Sequence, residues 1–111
     1  MDLSLLIANE TAKCVIIDPY DGKETDIVIT IYGPYSKQYT DAFKKNLARE
    51  KPDFIELLID LTASWINLKL DGKKLVFNRS NAKKIYSMEG VVIAGQVERF
   101  VVNNKNFLPK R

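Results

Sequence analysis

The chain has no histidine. The side chain that most often serves as general base, proton shuttle or metal ligand near neutral pH is therefore missing. Cys14 is the only cysteine. It permits no intramolecular disulfide, finds no imidazole partner for nucleophilic catalysis, and fits a reducing compartment. Glycine is scarce, at 5 in 111 residues. No glycine-rich loop opens a helix, so a phosphate cradle is unsupported. No apolar run approaches the ~20 residues that a membrane helix needs. Residues 1–10 carry an acid at Asp2 and lack a basic segment or a cleavage site, so they do not read as a signal peptide. Repeats and low-complexity tracts are also missing. With no catalytic constellation, the expectation is a protein that is not an enzyme and uses no cofactor.

What the chain does have is an ordinary globular composition, 46% apolar and 28% charged, enough for one domain with one core. Its net charge of +3 permits an acidic partner without demanding one. The stretch from Phe54 to Phe77 organises the rest. Phe54, Leu57, Leu58, Leu61 and Trp65 fall at helical spacing, and Ile55, Ile59 and Ile66 form a second apolar row. This pattern predicts a helix over residues 53–67, covered on most sides, with Pro52 at its start. Trp65 continues the stripe and is expected in the core. After Leu68 the pattern alternates around Asp71-Gly72, a turn signal.

Upstream, residues 1–12 read as a short helix or an ordered arm with Leu3, Leu5, Leu6 and Ile7 as apolar contacts. Two β-rich runs, residues 13–17 and 26–32, flank Asp18-Pro19-Tyr20-Asp21-Gly22 and predict a hairpin over 13–32. Ile27, Ile29 and Ile31 share one face of its second strand. Ser36 reads as the N-cap of a helix over 36–50, with Tyr39, Ala42, Phe43 and Leu47 inward. Asn78 reads as the cap of a third helix, 79–88. A fourth covers 90–104, with Ile93, Val97, Phe100 and Val101 inward and Gln96 set among them. Gly95 costs that helix ~1 kcal/mol relative to alanine, which a close helix–helix approach would offset. Phe107 and Leu108 read as anchors for the tail, with Pro109 ending the helix and Lys110-Arg111 charged and mobile. The fold class is thus α+β: an N-terminal β-hairpin packed against about four short α-helices. Phe54, Leu58, Leu61, Trp65, Val97 and Phe100 form its core.

Three charged groupings invite a functional reading. Asp18, Asp21, Glu24 and Asp26 crowd the hairpin turn, but their spacing is not that of a calcium loop, and acids are common at turns. No metal site is expected there. Glu56 and Asp60 lie one helical turn apart and read as a solvated strip. Lys69, Lys73, Lys74, Arg79, Lys83 and Lys84 face a single acid, Asp71. With Tyr86 and Phe77 nearby they would suit a small nucleic-acid-binding module. The simpler reading, favoured here, is solubilising lysines on a loop and a helix face.

Several short motifs run together in one order: Leu61–Trp65, Asp71-Gly72-Lys73, Val76-Phe77, Asn78, Asn81-Ala82, Gln96-Val97 and Asn106-Phe107-Leu108. Glu10–Lys13 and a hairpin around Asp18–Gly22, then Val28–Tyr32 and a charged helix, precede them. The whole resembles the tail assembly chaperones of long-tailed bacteriophages and prophages. That resemblance implies a non-enzymatic protein of the infected host's cytoplasm, absent from the finished virion. It would bind the long, aggregation-prone tape measure protein while tail tube protein assembles around it, and it would self-associate as a homo-oligomer. It also implies a short form and a frameshift-extended form, with the tail as the joint. Binding a long helical partner needs exposed apolar surface, and Ile55, Ile59, Ile66, Val91 and Val92 are the candidates. No membrane partner is expected, and nucleic acid is the less favoured one.

Overall fold

In the computed structural model, which describes residues 1–109, the chain begins with a 3-10 turn at Leu3–Leu6 and then forms the expected hairpin. Its strands are Thr11–Ile17 (β1) and Glu24–Tyr32 (β2), antiparallel from Thr11 opposite Tyr32 to Val15 opposite Val28. Both extend about two residues beyond the apolar runs. The turn closes because Gly22 adopts φ +73° and its N–H donates to the Asp18 carbonyl. Asp18 and Asp21 each accept a hydrogen bond from a backbone N–H two residues on, at Tyr20 and Lys23. Ile29 and Ile31 are fully buried, with Ile27 partly buried on the same face.

The helix Lys37–Leu47 (α1) starts at the expected cap: Ser36 Oγ accepts from Tyr39 N–H at 3.2 Å and donates to the Gly33 carbonyl at 2.7 Å. It is shorter than the predicted 36–50, and its inward row differs. Leu47 is 73% exposed, while Asn46 is buried. The amide of Asn46 earns that place by accepting the Asp53 N–H at 2.9 Å, which fixes the connection to the next helix.

The main departure lies in the organising stretch. The predicted helix over 53–67 is instead a helix, Phe54–Leu61 (α2), followed at once by a strand, Thr62–Ile66 (β3). Asp53 caps α2 through its carboxylate to Glu56 N–H. Thr62 ends it, donating from Oγ1 to the Leu58 carbonyl at 2.8 Å. β3 pairs with β2, giving an antiparallel sheet in the order β1-β2-β3. Trp65 is buried as expected, but from the sheet, opposite Ile29. Its Nε1 donates to the Leu75 carbonyl at 2.8 Å, and its ring meets Phe77 edge-on at 4.9 Å.

Asp71 (φ +52°) and Gly72 (φ +78°) then turn a small hairpin of Lys69–Leu70 (β4) and Lys73–Lys74 (β5). Two consecutive left-handed residues match the right-handed twist of flanking strands. Helix Arg79–Ser87 (α3) is capped by Asn78, whose Oδ1 accepts from Asn81 N–H at 2.8 Å. The last helix, Ile93–Val101 (α4), starts three residues later than predicted because Gly90 stands at φ +78°. A Cβ on Gly95 would meet only the Arg99 side chain, so no close helix–helix approach explains that glycine. A 3-10 turn, Asn104–Phe107, ends the described chain. Phe107 is fully buried, whereas its supposed co-anchor Leu108 is 43% exposed. Lys110 and Arg111, read as a charged tail, lie outside the described residues.

One face of the sheet, from Cys14 and Ile16 through Ile29 and Ile31 to Trp65, packs against α2, α3 and α4. Leu58, Leu61 and Val97 fill that layer as expected, and Phe100 packs on it half-buried. Phe54 does not join them. As the first residue of α2 it is 44% exposed.

Candidate partner-binding surfaces

Of the five residues assigned to partner binding, Ile59 is a correction. It is buried in the core, because α2 packs against α1 and α3 as well as the strands and keeps little free surface. Ile55 is half-buried against the same core. Ile66 is exposed at the end of β3, and Val91 and Val92 are exposed before α4. These sit on separate elements rather than in one stripe. Only Val92 lines the hollow beside β1 described below.

Glu56 and Asp60 are not a solvated strip. Arg79 reaches across from α3 to both, with Nη1 donating to Asp60 at 2.6 Å and Nη2 to Glu56 at 2.5 Å. Lys45 and Arg49 from the α1 side and Lys83 from α3 approach the same carboxylates at 3.7–3.9 Å. Hydrogen bonding to Asp60 raises the Arg79 pKa further above its ordinary value. The basic run is therefore divided. Arg79 and Lys83 face acids on α2, while Lys69, Lys73 and Lys74 stand on the small hairpin, with Lys69 directly opposite Lys74.

Sequence reasoning missed two surfaces. The first joins the two ends of the described chain. Leu3, Leu5, Leu6 and Ile7 are all more than half exposed. Leu5 and Leu6 share a hollow of about 410 Å³ with Leu108 and Pro109. The local cause is the 3-10 turn: Asp2 accepts the Ser4 N–H and so holds the leucines in a tight curl that buries none of them. Consecutive leucines with no amphipathic period were the available signal.

The second surface runs beside β1, which among the described residues has no strand on its outer side. Gln96 of α4 grips its far end. The amide accepts from Ile17 N–H at 2.7 Å and donates to the Ile17 carbonyl at 2.8 Å, as a neighbouring strand would. At the near end, Asn9 N–H donates to the Phe107 carbonyl at 2.8 Å. Between the clamps lie two hollows. One, about 530 Å³, is bordered by Cys14, Val15, Ile17, Val92 and Arg99; the other, about 490 Å³, by Thr11, Ala12, Lys13, Lys105 and Asn106. Phe100 borders both. The signal for Gln96 was visible, as a lone amide on an apolar helix face. Cys14 belongs to the core, and burial pushes its thiol up to about 11.

Among the described residues no group of three or more His, Cys, Asp or Glu side chains is placed to hold a metal ion. No described helix is long and apolar enough to cross a membrane. In comparisons with protein-family models, curated proteins and solved structures, the chain matches none of them.

Proposed function

We propose that this chain is a tail assembly chaperone of a long-tailed phage or prophage, binding the tape measure protein in the host cytoplasm while tail tube protein assembles around it. The observation that carries this reading is the apolar surface where the ends of the described chain meet. Leu3, Leu5, Leu6, Ile7 and Leu108 are all exposed, and Leu5, Leu6 and Leu108 line one hollow together. A leucine-lined hollow suits the apolar face of a long helix. Ile66, Val91 and Val92 supply further exposed apolar points for additional contacts or for self-association. The alternative, a nucleic-acid-binding module using Lys69–Lys84, has two of its six cations turned toward Glu56 and Asp60, which favours the protein-binding reading.

Co-expression with a fragment of a tape measure protein tests it. The expected result is a soluble complex, with the fragment insoluble alone, and its loss on exchanging Leu5 and Leu6 for glutamate. Both leucines are exposed, so the variant should still fold. A fragment that gains no solubility, or a double variant that protects it as well as the parent, would overturn the proposal. Light scattering on the chain alone should show mass above 12.7 kDa if it self-associates.

A further inference from the structure

The alternation of hydrogen bonds along β1 fixes which backbone groups face outward. Gly33 N–H donates to the Glu10 carbonyl, so residue 10, and with it Ala12 and Cys14, turns its polar groups toward β2. The odd-numbered residues turn away. Asn9 and Ile17, both odd, confirm the alternation: their outward groups are the ones taken by Phe107 and Gln96. Between them Thr11, Lys13 and Val15 present N–H and C=O groups to which no described residue bonds. An open edge of this kind is a template for another strand. The clamps limit it to roughly five residues, or ~13–17 Å of extended chain. Because Thr11, Ala12, Lys13, Cys14 and Val15, from both faces of β1, border the two hollows, the free space lies along the edge itself.

We infer that this edge binds an extended segment of another polypeptide, added as a fourth strand beside β1, with apolar side chains at alternate positions and acidic ones between them. Phe100 and Val92 offer apolar contacts to one set of side chains. Lys13, Arg99 and Lys105 border the groove with no acid among its described lining residues, and none of the three makes an ion pair with a described residue. The edge therefore selects for negative charge. A second copy of β1 fits poorly. Antiparallel self-pairing centred on the open stretch would set one Lys13 opposite the other, and like charges directly opposed are destabilising. The inference does not rest on the tail-assembly reading, since its occupant is extended rather than helical and pairs with the β1 backbone, although Leu108 borders both surfaces.

The test is a titration of the isotope-labelled chain with a short capped peptide alternating valine and glutamate, followed by amide NMR. The expected result is saturable shifts centred on the amides of Thr11, Lys13 and Val15. A valine–lysine peptide should bind roughly ten-fold or more weakly. The valine–glutamate peptide N-methylated on its alternate, strand-facing amides should not bind. Arg99→Glu, on the exposed side of α4, leaves Lys13 and Lys105 in place and should narrow the preference for the acidic peptide several-fold without unfolding the chain. Equal binding of both peptides, binding by the N-methylated one, or shifts confined to other elements would overturn the inference. So would concentration-dependent shifts of the same three amides without peptide, which would assign the edge to a second copy.

Discussion

Gly33 lies beneath the ring of Phe107, so close that a Cβ built on the glycine would stand 2.5 Å from ring Cγ and 2.7 Å from Cε1, with Cδ1 nearer still. Gly33 ends β2, and Phe107 arrives some seventy residues later to close the core over that point. The ring has nowhere to retreat, being fully buried with Phe100 set edge-on at 5.6 Å. Gly33→Ala should therefore destabilise the fold by ~1–3 kcal/mol through overpacking. Phe107→Leu in the same chain should recover part of that loss, although alone it is itself destabilising. Chemical denaturation of the four chains measures the coupling. Strictly additive losses would mean that the ring does not seat on the glycine.

Trp65 gives the second prediction. It is buried between Ile29 across the sheet and Phe77, with its indole N–H bonded to the Leu75 carbonyl. Trp65→Ala should cost ~3–5 kcal/mol, a large share of a typical ~5–15 kcal/mol total. Trp65→Phe keeps much of the hydrocarbon and loses the hydrogen bond, so its melting temperature should fall between those of the parent and the alanine variant. A native melt for Trp65→Ala would place the indole outside the core.

The burial of Trp65 was legible in the sequence, but its secondary structure was not, and β3 shows why. In a regular strand Thr62 and Trp65 would point to opposite faces. The pairing of Ile31 with Thr62 and Thr30 with Ser64 skips Ala63, and this bulge returns Trp65 to the face that Thr62 occupies. Buried positions then fall at Leu58, Leu61, Thr62 and Trp65, the spacing of a helix, although the chain has already changed to a strand. Local chemistry was a better guide. Ser36 and Asn78 cap helices and Gly22 and Asp71-Gly72 make turns where their side chains or φ preferences say they should, because those effects act within three or four residues. The binding surfaces were harder to read. An open strand edge is a property of topology; the lone amide of Gln96 and the run of leucines at Leu5 stand out locally, but nothing local names Ile17 or Leu108 as what they meet.

The helix-to-strand junction supports a third prediction. Thr62 Oγ1 gives its one proton to the Leu58 carbonyl, so the buried Tyr86 hydroxyl, 2.6 Å away, must donate to Thr62. Thr62→Val strands the tyrosine hydroxyl in the core and should cost ~1–3 kcal/mol. Tyr86→Phe removes only the outer member of the chain and should cost ~0.5–1.5 kcal/mol. The double variant leaves no hydroxyl without a partner, so its loss should be smaller than the sum. Additivity in urea denaturation would show that the two hydroxyls do not act together.

Tyr86 on α3 and Cys14 on β1 together predict a loss of stability in alkali. Burial pushes the Cys14 thiol from 9.0 up to about 11. Burial also pushes the Tyr86 phenol from 10.0 up to about 12, with Cys14 nearby adding to the rise. Both groups are uncharged when protonated, and both hold their protons longer in the folded chain than in the unfolded one. Above pH 9 the unfolded state therefore binds fewer protons than the native state, and stability falls as pH rises. The contribution of Cys14 is complete below pH 9 and lost as pH climbs toward 11; that of Tyr86 follows between 10 and 12. Cys14→Ala, although less stable at pH 7 through lost packing, should show a flatter decline between pH 9 and 10 than the parent. A thiol reagent should also react with the native parent at pH 8 much more slowly than with the urea-unfolded chain, since the thiol is both buried and protonated. Urea midpoints measured from pH 7 to 10.5 decide it: parallel declines for the parent and Cys14→Ala, with fast labelling of the native thiol, would place Cys14 outside the core.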